Sequence, residues 1–148
     1  MRLYCDTTIL LYAAGAGQDT SASAACRAVI QAVASNVIAG EISTEVLQEL
    51  LHIASLRQSR TQGIELVELT ARIFPYPVPV DGAMAVVAAG LLREHPRLST
   101  RVAIHAAVMK ASGIGEVIST DPEFGLISGL RRRSPQDAVR DFRLPTDG

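Results

Sequence analysis

Tryptophan is absent from this chain, aromatic residues amount to only 4 %, and lysine occurs once, at Lys110. So few rings argue against recognition of single-stranded bases by rows of stacking aromatics. A net charge of −1 leaves no global basic field, so a nucleic-acid partner would have to be met by a local patch or with the help of a metal ion. Cysteine is nearly as scarce. Cys5 and Cys26 form no C-x-x-C pair, and His52, His95 and His105 do not join them at zinc spacing. Two reduced, buried thiols in a cytoplasmic protein are expected. No apolar run approaches the ~18 residues of a membrane-spanning helix. The apolar start is broken at once by Asp6, so no secretory leader is expected.

What is present is a core. The chain has 148 residues, 48 % of them hydrophobic and mostly alanine, leucine and valine, which suits one domain over 1–148 with a polar, mixed tail from about 134. Residues 2–5 read as a buried strand, followed by a short helix over Ile9 to Ala14 that Thr7 or Thr8 can cap. Gly15-Ala16-Gly17 should break it. Ser21 to Ser35 carries apolar residues at helical spacing, with Asn36 as a stop. A short strand is expected around Gly40, then a helix capped by Ser43 or Thr44 and running to about Arg57. Thr61 opens another helix that Pro75 ends. Pro77 to Val80 reads as an edge strand. Asp81 caps a helix to about Glu94, and Ser99 or Thr100 caps one to about Ala111. Glu116 to Ser119 is a strand, Pro122 to Ile127 a helical turn, and Leu130 to Arg132 a last short strand. This alternation predicts an α/β fold with a mostly parallel central sheet flanked by α-helices.

Two of the apolar strands end in an aspartate: Leu3-Tyr4-Cys5-Asp6 and Val117-Ile118-Ser119-Thr120-Asp121. In a parallel α/β sheet the strand C-termini share one edge, and ligands bind outside it. Asp6 and Asp121 should therefore meet there, and clustered carboxylates repel unless a cation lies between them. Each aspartate also has a plainer reading, as a helix cap or turn residue. Glu49 falls on the edge of its helix's apolar stripe, where it could equally be a solvated glutamate on a broad amphipathic helix.

These residues carry a resemblance. Tyr4-Cys5-Asp6-Thr7-Thr8-Ile9-Leu10-Leu11-Tyr12, Ser43-Thr44-Glu45-Val46-Leu47-Gln48-Glu49-Leu50, Arg101-Val102-Ala103-Ile104-His105-Ala106-Ala107 and Ser119-Thr120-Asp121-Pro122-Glu123-Phe124 stand in order. Together they resemble the PIN-domain family, especially the VapC-type toxins of toxin–antitoxin pairs, from Leu3 to about Pro135. The resemblance implies a single PIN-like domain and a metal-dependent endoribonuclease. Asp6, Glu49 and Asp121 would be the acids that hold Mg²⁺ or Mn²⁺, with Thr8 and Thr120 in supporting roles. It also implies a cognate antitoxin, an RNA substrate and a homodimer, with Ile9 and Tyr12 suggested at a contact surface.

The chain departs from that pattern at Val102, where the family usually has an aspartate. Valine neither binds a metal nor transfers a proton. The chain could be active with three acids, Glu123 or Glu45 taking part. It could be a degenerate member that grips RNA or antitoxin without cutting, or a substituted form that silences a toxic activity. His105 shares a helical stripe with Val102, Ala106 and Met109 and is expected to be a core histidine rather than a base. Arg131-Arg132-Arg133 reads either as a phosphate contact or as a solvated strand end. Response-regulator and haloacid-dehalogenase readings fail, because Asp6 has no acidic neighbour and position 8 is Thr8.

Overall fold

A computed structural model describes residues 1–15 and 20–147. Four strands, β1 (Arg2–Cys5), β2 (Ala39–Glu41), β3 (Glu116–Ile118) and β4 (Arg131–Arg133), form one sheet in the order β2-β1-β3-β4. Every pairing is parallel, as the strand–helix alternation predicts. Seven helices are seen among the described residues: α1 (Thr7–Ala13), α2 (Thr20–Ala34), α3 (Thr44–Arg57), α4 (Arg60–Ile73), α5 (Gly82–Glu94), α6 (Thr100–Ser112) and α7 (Pro135–Phe142). A 3₁₀ turn, Pro122–Leu126, joins β3 to β4.

Parallel strands need long connections, and here helices supply them. The helices pack in pairs: α1 with α2, α3 with α4, α5 with α6, and α2 with α7. The core lies where β1 and β3 meet these layers, around Leu3, Tyr4, Ile9, Val46, Leu50, Val102, Met109, Ile118 and Phe124, all fully buried.

Most helix ends obey local chemistry. Asp81 and Ser99 accept hydrogen bonds from the backbone N–H groups of Met84 and Val102, closing the first turns of α5 and α6. Asn36 follows α2 with a positive φ of 59°, the left-handed conformation expected of its stop residue. Gly15 lies at φ 84°, while Ala16 and Gly17, the rest of the expected break, fall outside the described residues.

Four details differ from expectation. Helix α4 begins at Arg60 because the Ser59 hydroxyl accepts from the Gln62 N–H, which moves the cap ahead of Thr61. Thr7 and Thr8 are not caps: α1 already starts at Thr7, and Asp6 occupies the cap position without using its side chain there. The predicted edge strand at Pro77–Val80 shrinks to one bridge between Ser43 and Val78, since Pro77 and Pro79 have no N–H and the Val80 N–H donates to the Thr44 hydroxyl rather than to a ladder carbonyl. The polar segment after 134 is ordered into α7, which starts with the Ser134 hydroxyl capping the Asp137 N–H and with Pro135 in the first turn.

Candidate functional site

The sheet register builds the first part of the site. Cys5 lies opposite Ile118, and the Asp6 N–H continues the ladder by donating to the Ile118 carbonyl at 3.1 Å. Asp6 and Ser119 therefore emerge side by side at the carboxyl edge, with Asp121 two residues further on. Asp6 is fully buried. Its Oδ2 accepts from the Ser119 hydroxyl at 2.6 Å and the Thr8 hydroxyl at 2.9 Å. Thr8 is held in turn by the Thr120 N–H, which donates to its Oγ1 at 3.2 Å. The Asp121 N–H donates to the Ser119 hydroxyl at 2.9 Å, and Asp121 Oδ1 accepts from the Glu123 N–H at 2.9 Å. Asp121 is thus a turn cap through one oxygen, and its other oxygen is left to face the site.

The second part comes from α3. Glu49 sits at i+3 from Val46 and next to Leu50, within the buried stripe rather than beside it, and is buried. A buried carboxylate needs partners. One is His105, whose Nε2 lies 2.5 Å from Glu49 Oε1. On its far side His105 Nδ1 lies 2.7 Å from the Tyr4 hydroxyl, which lies 2.7 Å from the Ser43 hydroxyl. One placement of protons satisfies every member: Ser43 donates to Tyr4, Tyr4 to Nδ1, and Nε2–H to Glu49. Ser43 heads α3 but makes no capping bond; its hydroxyl is committed to this chain. Burial pushes the Glu49 carboxyl up, but His105 and Arg101 outweigh it and hold Glu49 below the ordinary glutamate range. Glu45, one turn earlier, is pushed up by burial and by the charge on Glu49.

The third part is Arg101, in the first turn of α6. Its guanidinium contacts all three acids. Nη2 donates to Asp6 Oδ1 at 2.6 Å, Nη1 to Asp121 Oδ2 at 2.9 Å, and Nε to Glu49 Oε2 at 3.1 Å. Burial disfavours its charge, yet Asp6 and Glu49 more than compensate and hold it more firmly protonated than usual. Three carboxylates against one guanidinium leave a surplus of negative charge. The donor set is hard oxygen, which suits Mg²⁺ or Mn²⁺. Even so, among the described residues no three His, Cys, Asp or Glu side chains stand close enough to share an ion as they are.

The acids singled out from sequence, Asp6, Glu49 and Asp121, come together around Arg101. Thr8 reaches Asp6, whereas Thr120 contributes its backbone N–H and the hydroxyl next to Asp6 belongs to Ser119. Val102 is fully buried in the core and brings no charge. Glu123 does not stand in for it, since its Oε1 accepts from the Ser99 N–H at 2.8 Å. His105 is buried as expected, but its partners are distant in sequence and one is a site carboxylate. The arginine run does not form a free basic patch. Arg132 donates to the Ser119 carbonyl, Arg133 is buried against Glu116 and Asp141, and only Arg131 is well exposed. Ile9 is fully buried, so it cannot contribute to a contact surface; it anchors α1 in the core, while Tyr12 is half-buried. Arg101, Ser119 and Tyr4 were not singled out for the site. The four-residue spacing of Arg101 and His105 on α6 is the one local signal that both face the same way.

The plan is that of an α/β protein with an acidic centre at the carboxyl edge of a parallel sheet. A family model described as PIN domain matches residues 3–130, and the chain belongs to that family. Ribonuclease VapC7 of Mycobacterium tuberculosis (strain ATCC 25618 / H37Rv) is 28 % identical over 137 residues, covering 90 % of this chain and 91 % of that protein. The fold also resembles a chain in the crystal structure of VapBC2 from Rickettsia felis bound to a DNA fragment from their promoter. The TM-score is 0.69 at 17 % identity, with 90 % of this chain and 98 % of the other covered. The likeness to VapC-type PIN domains read from the sequence therefore stands.

Proposed function

We propose that this chain is the toxin of a toxin–antitoxin pair and a metal-dependent endoribonuclease, with Asp6, Glu49 and Asp121 holding Mg²⁺ or Mn²⁺. The observation that carries the reading is the division of labour within each carboxylate. One oxygen is held by the framework (Ser119 and Thr8, His105, or the Glu123 N–H) and the other faces a common point. Such an ion, when bound, lowers the pKa of a water molecule and offsets charge on a phosphodiester. The chain's own task is to orient the oxygens. Ser119 and Thr8 fix the plane of Asp6, and His105, backed by Tyr4, fixes that of Glu49. Thr120 acts through its N–H on Thr8. With Val102 in place of an acid, three carboxylates do the work and a single ion is favoured.

The names of the relatives support an RNA substrate and a cognate antitoxin; to these the proposal adds a second copy of the chain and a cytoplasmic setting. No described helix is long and apolar enough to cross a membrane. The antitoxin's tail would lie over the acidic centre, with a basic residue paired to the carboxylates.

The test is Mn²⁺- and Mg²⁺-dependent cleavage of structured RNA by this chain, by Asp6→Asn and by Val102→Asp. Cleavage by this chain that Asp6→Asn abolishes is the expected result. If Asp6→Asn cuts as well as the parent, the acidic centre is not the active site. If only Val102→Asp cuts, the chain is a non-cleaving module that binds antitoxin or RNA on an intact scaffold.

A further inference from the structure

The oxygens of Asp6, Glu49 and Asp121 are all already engaged. On the outer side of the cluster, Asp6 Oδ2, Glu49 Oε1 and Asp121 Oδ1 are held by side chains and backbone built into the sheet edge, α6 and the 3₁₀ turn. On the inner side, Arg101 donates to Asp6 Oδ1, Glu49 Oε2 and Asp121 Oδ2, and His105 Nε2 stands 3.7 Å from the first of these. The inner set is the one an ion takes with least rearrangement, because the outer oxygens are tied to strand ends and to the buried His105–Glu49 pair. We propose that Arg101 is a resident counter-ion that competes with the divalent cation, so that the site loads metal only when its guanidinium swings out. This inference rests on the metal-binding reading above.

Geometry and charge both require the exchange. Mg²⁺ sits ~2.1 Å from its oxygen ligands. The guanidinium nitrogens lie 2.6–3.1 Å from those same three oxygens, so an ion bound to all of them would press directly on the guanidinium. Two cations at that separation repel strongly in a partly dry site. A guanidinium also needs a wider ring of oxygens than a small ion does, which fits the finding that no three acids are presently spaced for one ion. The side chain has a way out. Arg101 is 27 % exposed, whereas Asp6 and His105 below it are fully buried. Its place in the first turn of α6 lets it rotate to solvent without moving the helix.

The experiment has two arms on the full chain. The first measures Mn²⁺ affinity by electron paramagnetic resonance for the parent, Arg101→Met and Arg101→Lys, with thermal melts to establish that each is folded. The expected result is binding at least tenfold tighter in Arg101→Met, with Arg101→Lys between. The second follows the Arg101 Nε–H by nitrogen-15 NMR of the parent during a Mg²⁺ titration, which needs no variant to fold. Mg²⁺ should abolish its protection from solvent exchange. Equal or weaker Mn²⁺ binding by folded Arg101→Met, or an Nε–H that stays protected at saturation, overturns the competition and leaves the metal-binding reading standing. Absence of Mn²⁺ and Mg²⁺ binding in the parent and both variants overturns the two together.

Discussion

Replacing Tyr4 by phenylalanine removes one oxygen from the core and should reach the acidic centre through His105. The Tyr4 hydroxyl links Ser43 and His105 Nδ1 at 2.7 Å each, and Tyr4 and His105 are fully buried. No water can replace the lost oxygen without opening the β1–α3–α6 junction. Two hydrogen bonds at about 0.5–1.5 kcal/mol each are lost, and a buried nitrogen and hydroxyl are left unpaired. Because unpaired groups dominate such costs, about 2–3 kcal/mol of destabilisation is expected. At the 2–4 °C per kcal/mol typical of domains this long, the melting temperature should fall by roughly 4–12 °C. Urea unfolding of the parent, Tyr4→Phe, His105→Phe and the double variant forms a cycle that isolates the coupling. A coupling of about 1 kcal/mol or more is expected. Tyr4→Phe should also weaken Mn²⁺ binding, since His105 would no longer be fixed to present Nε2–H to Glu49. A loss of stability below about 0.5 kcal/mol, or purely additive effects in the cycle, would refute the relay from Tyr4 to Glu49.

Glu49 gives a prediction in pH. Its carboxyl is held below the ordinary value of 4.5, so it binds fewer protons folded than unfolded. Its contribution to stability is complete above pH 4.5 and is lost as pH falls through the depressed value. Denaturant midpoints of the parent should therefore drop on acidification below that point, and Glu49→Gln should flatten the drop; an unchanged slope would count against the assignment. Glu45 is raised, so the sign reverses: Glu45→Gln should stabilise the folded chain at neutral pH, and a loss of stability would contradict it. Gly63→Ala sets helix propensity against packing. Alanine favours α4 by about 1 kcal/mol, but its Cβ would lie 2.4 Å from the Ser55 hydroxyl and 2.9 Å from the Ser55 backbone nitrogen on α3. Overpacking against backbone at about 1–3 kcal/mol should win, so a net loss in thermal stability is expected and a gain would mean that α3 and α4 can separate cheaply.

The parallel sheet and the positions of Asp6 and Asp121 were legible because they depend on period and punctuation. A strand-length apolar run ending in aspartate twice, with helices between, has few other arrangements. Glu49 was legible as an acid near the stripe but not as a buried one, because two residues far away in sequence decide that. Arg101 was the largest omission. Helical periodicity puts Arg101 on the same face as His105, but whether a cation in a helix's first turn lies inward or reaches to solvent depends on what the neighbouring strands place beside it. The same limit hid the charge pairs of Arg133, which looked like part of an exposed run. Helix α7 was missed although its Ser134-Pro135-x-Asp137 start was in view, since the helix is only eight residues long and half of them are polar.

The ion pairs around Arg133 bear on where this molecule can be cut. The PIN match stops at 130, before β4 and α7. Yet Glu116, buried in β3, has its close partner in Arg133, and Arg133 reaches on to Asp141 and stacks over the Phe142 ring at 5.0 Å. A chain ending at 130 would take Arg133 from Glu116, in the strand that leads to Asp121. The same cut would remove β4, the strand paired with β3, and α7, so that β3 would become an unpaired edge. The segment that can fold by itself is therefore longer than the segment the family model matches, and expression boundaries drawn for this protein should run past Phe142.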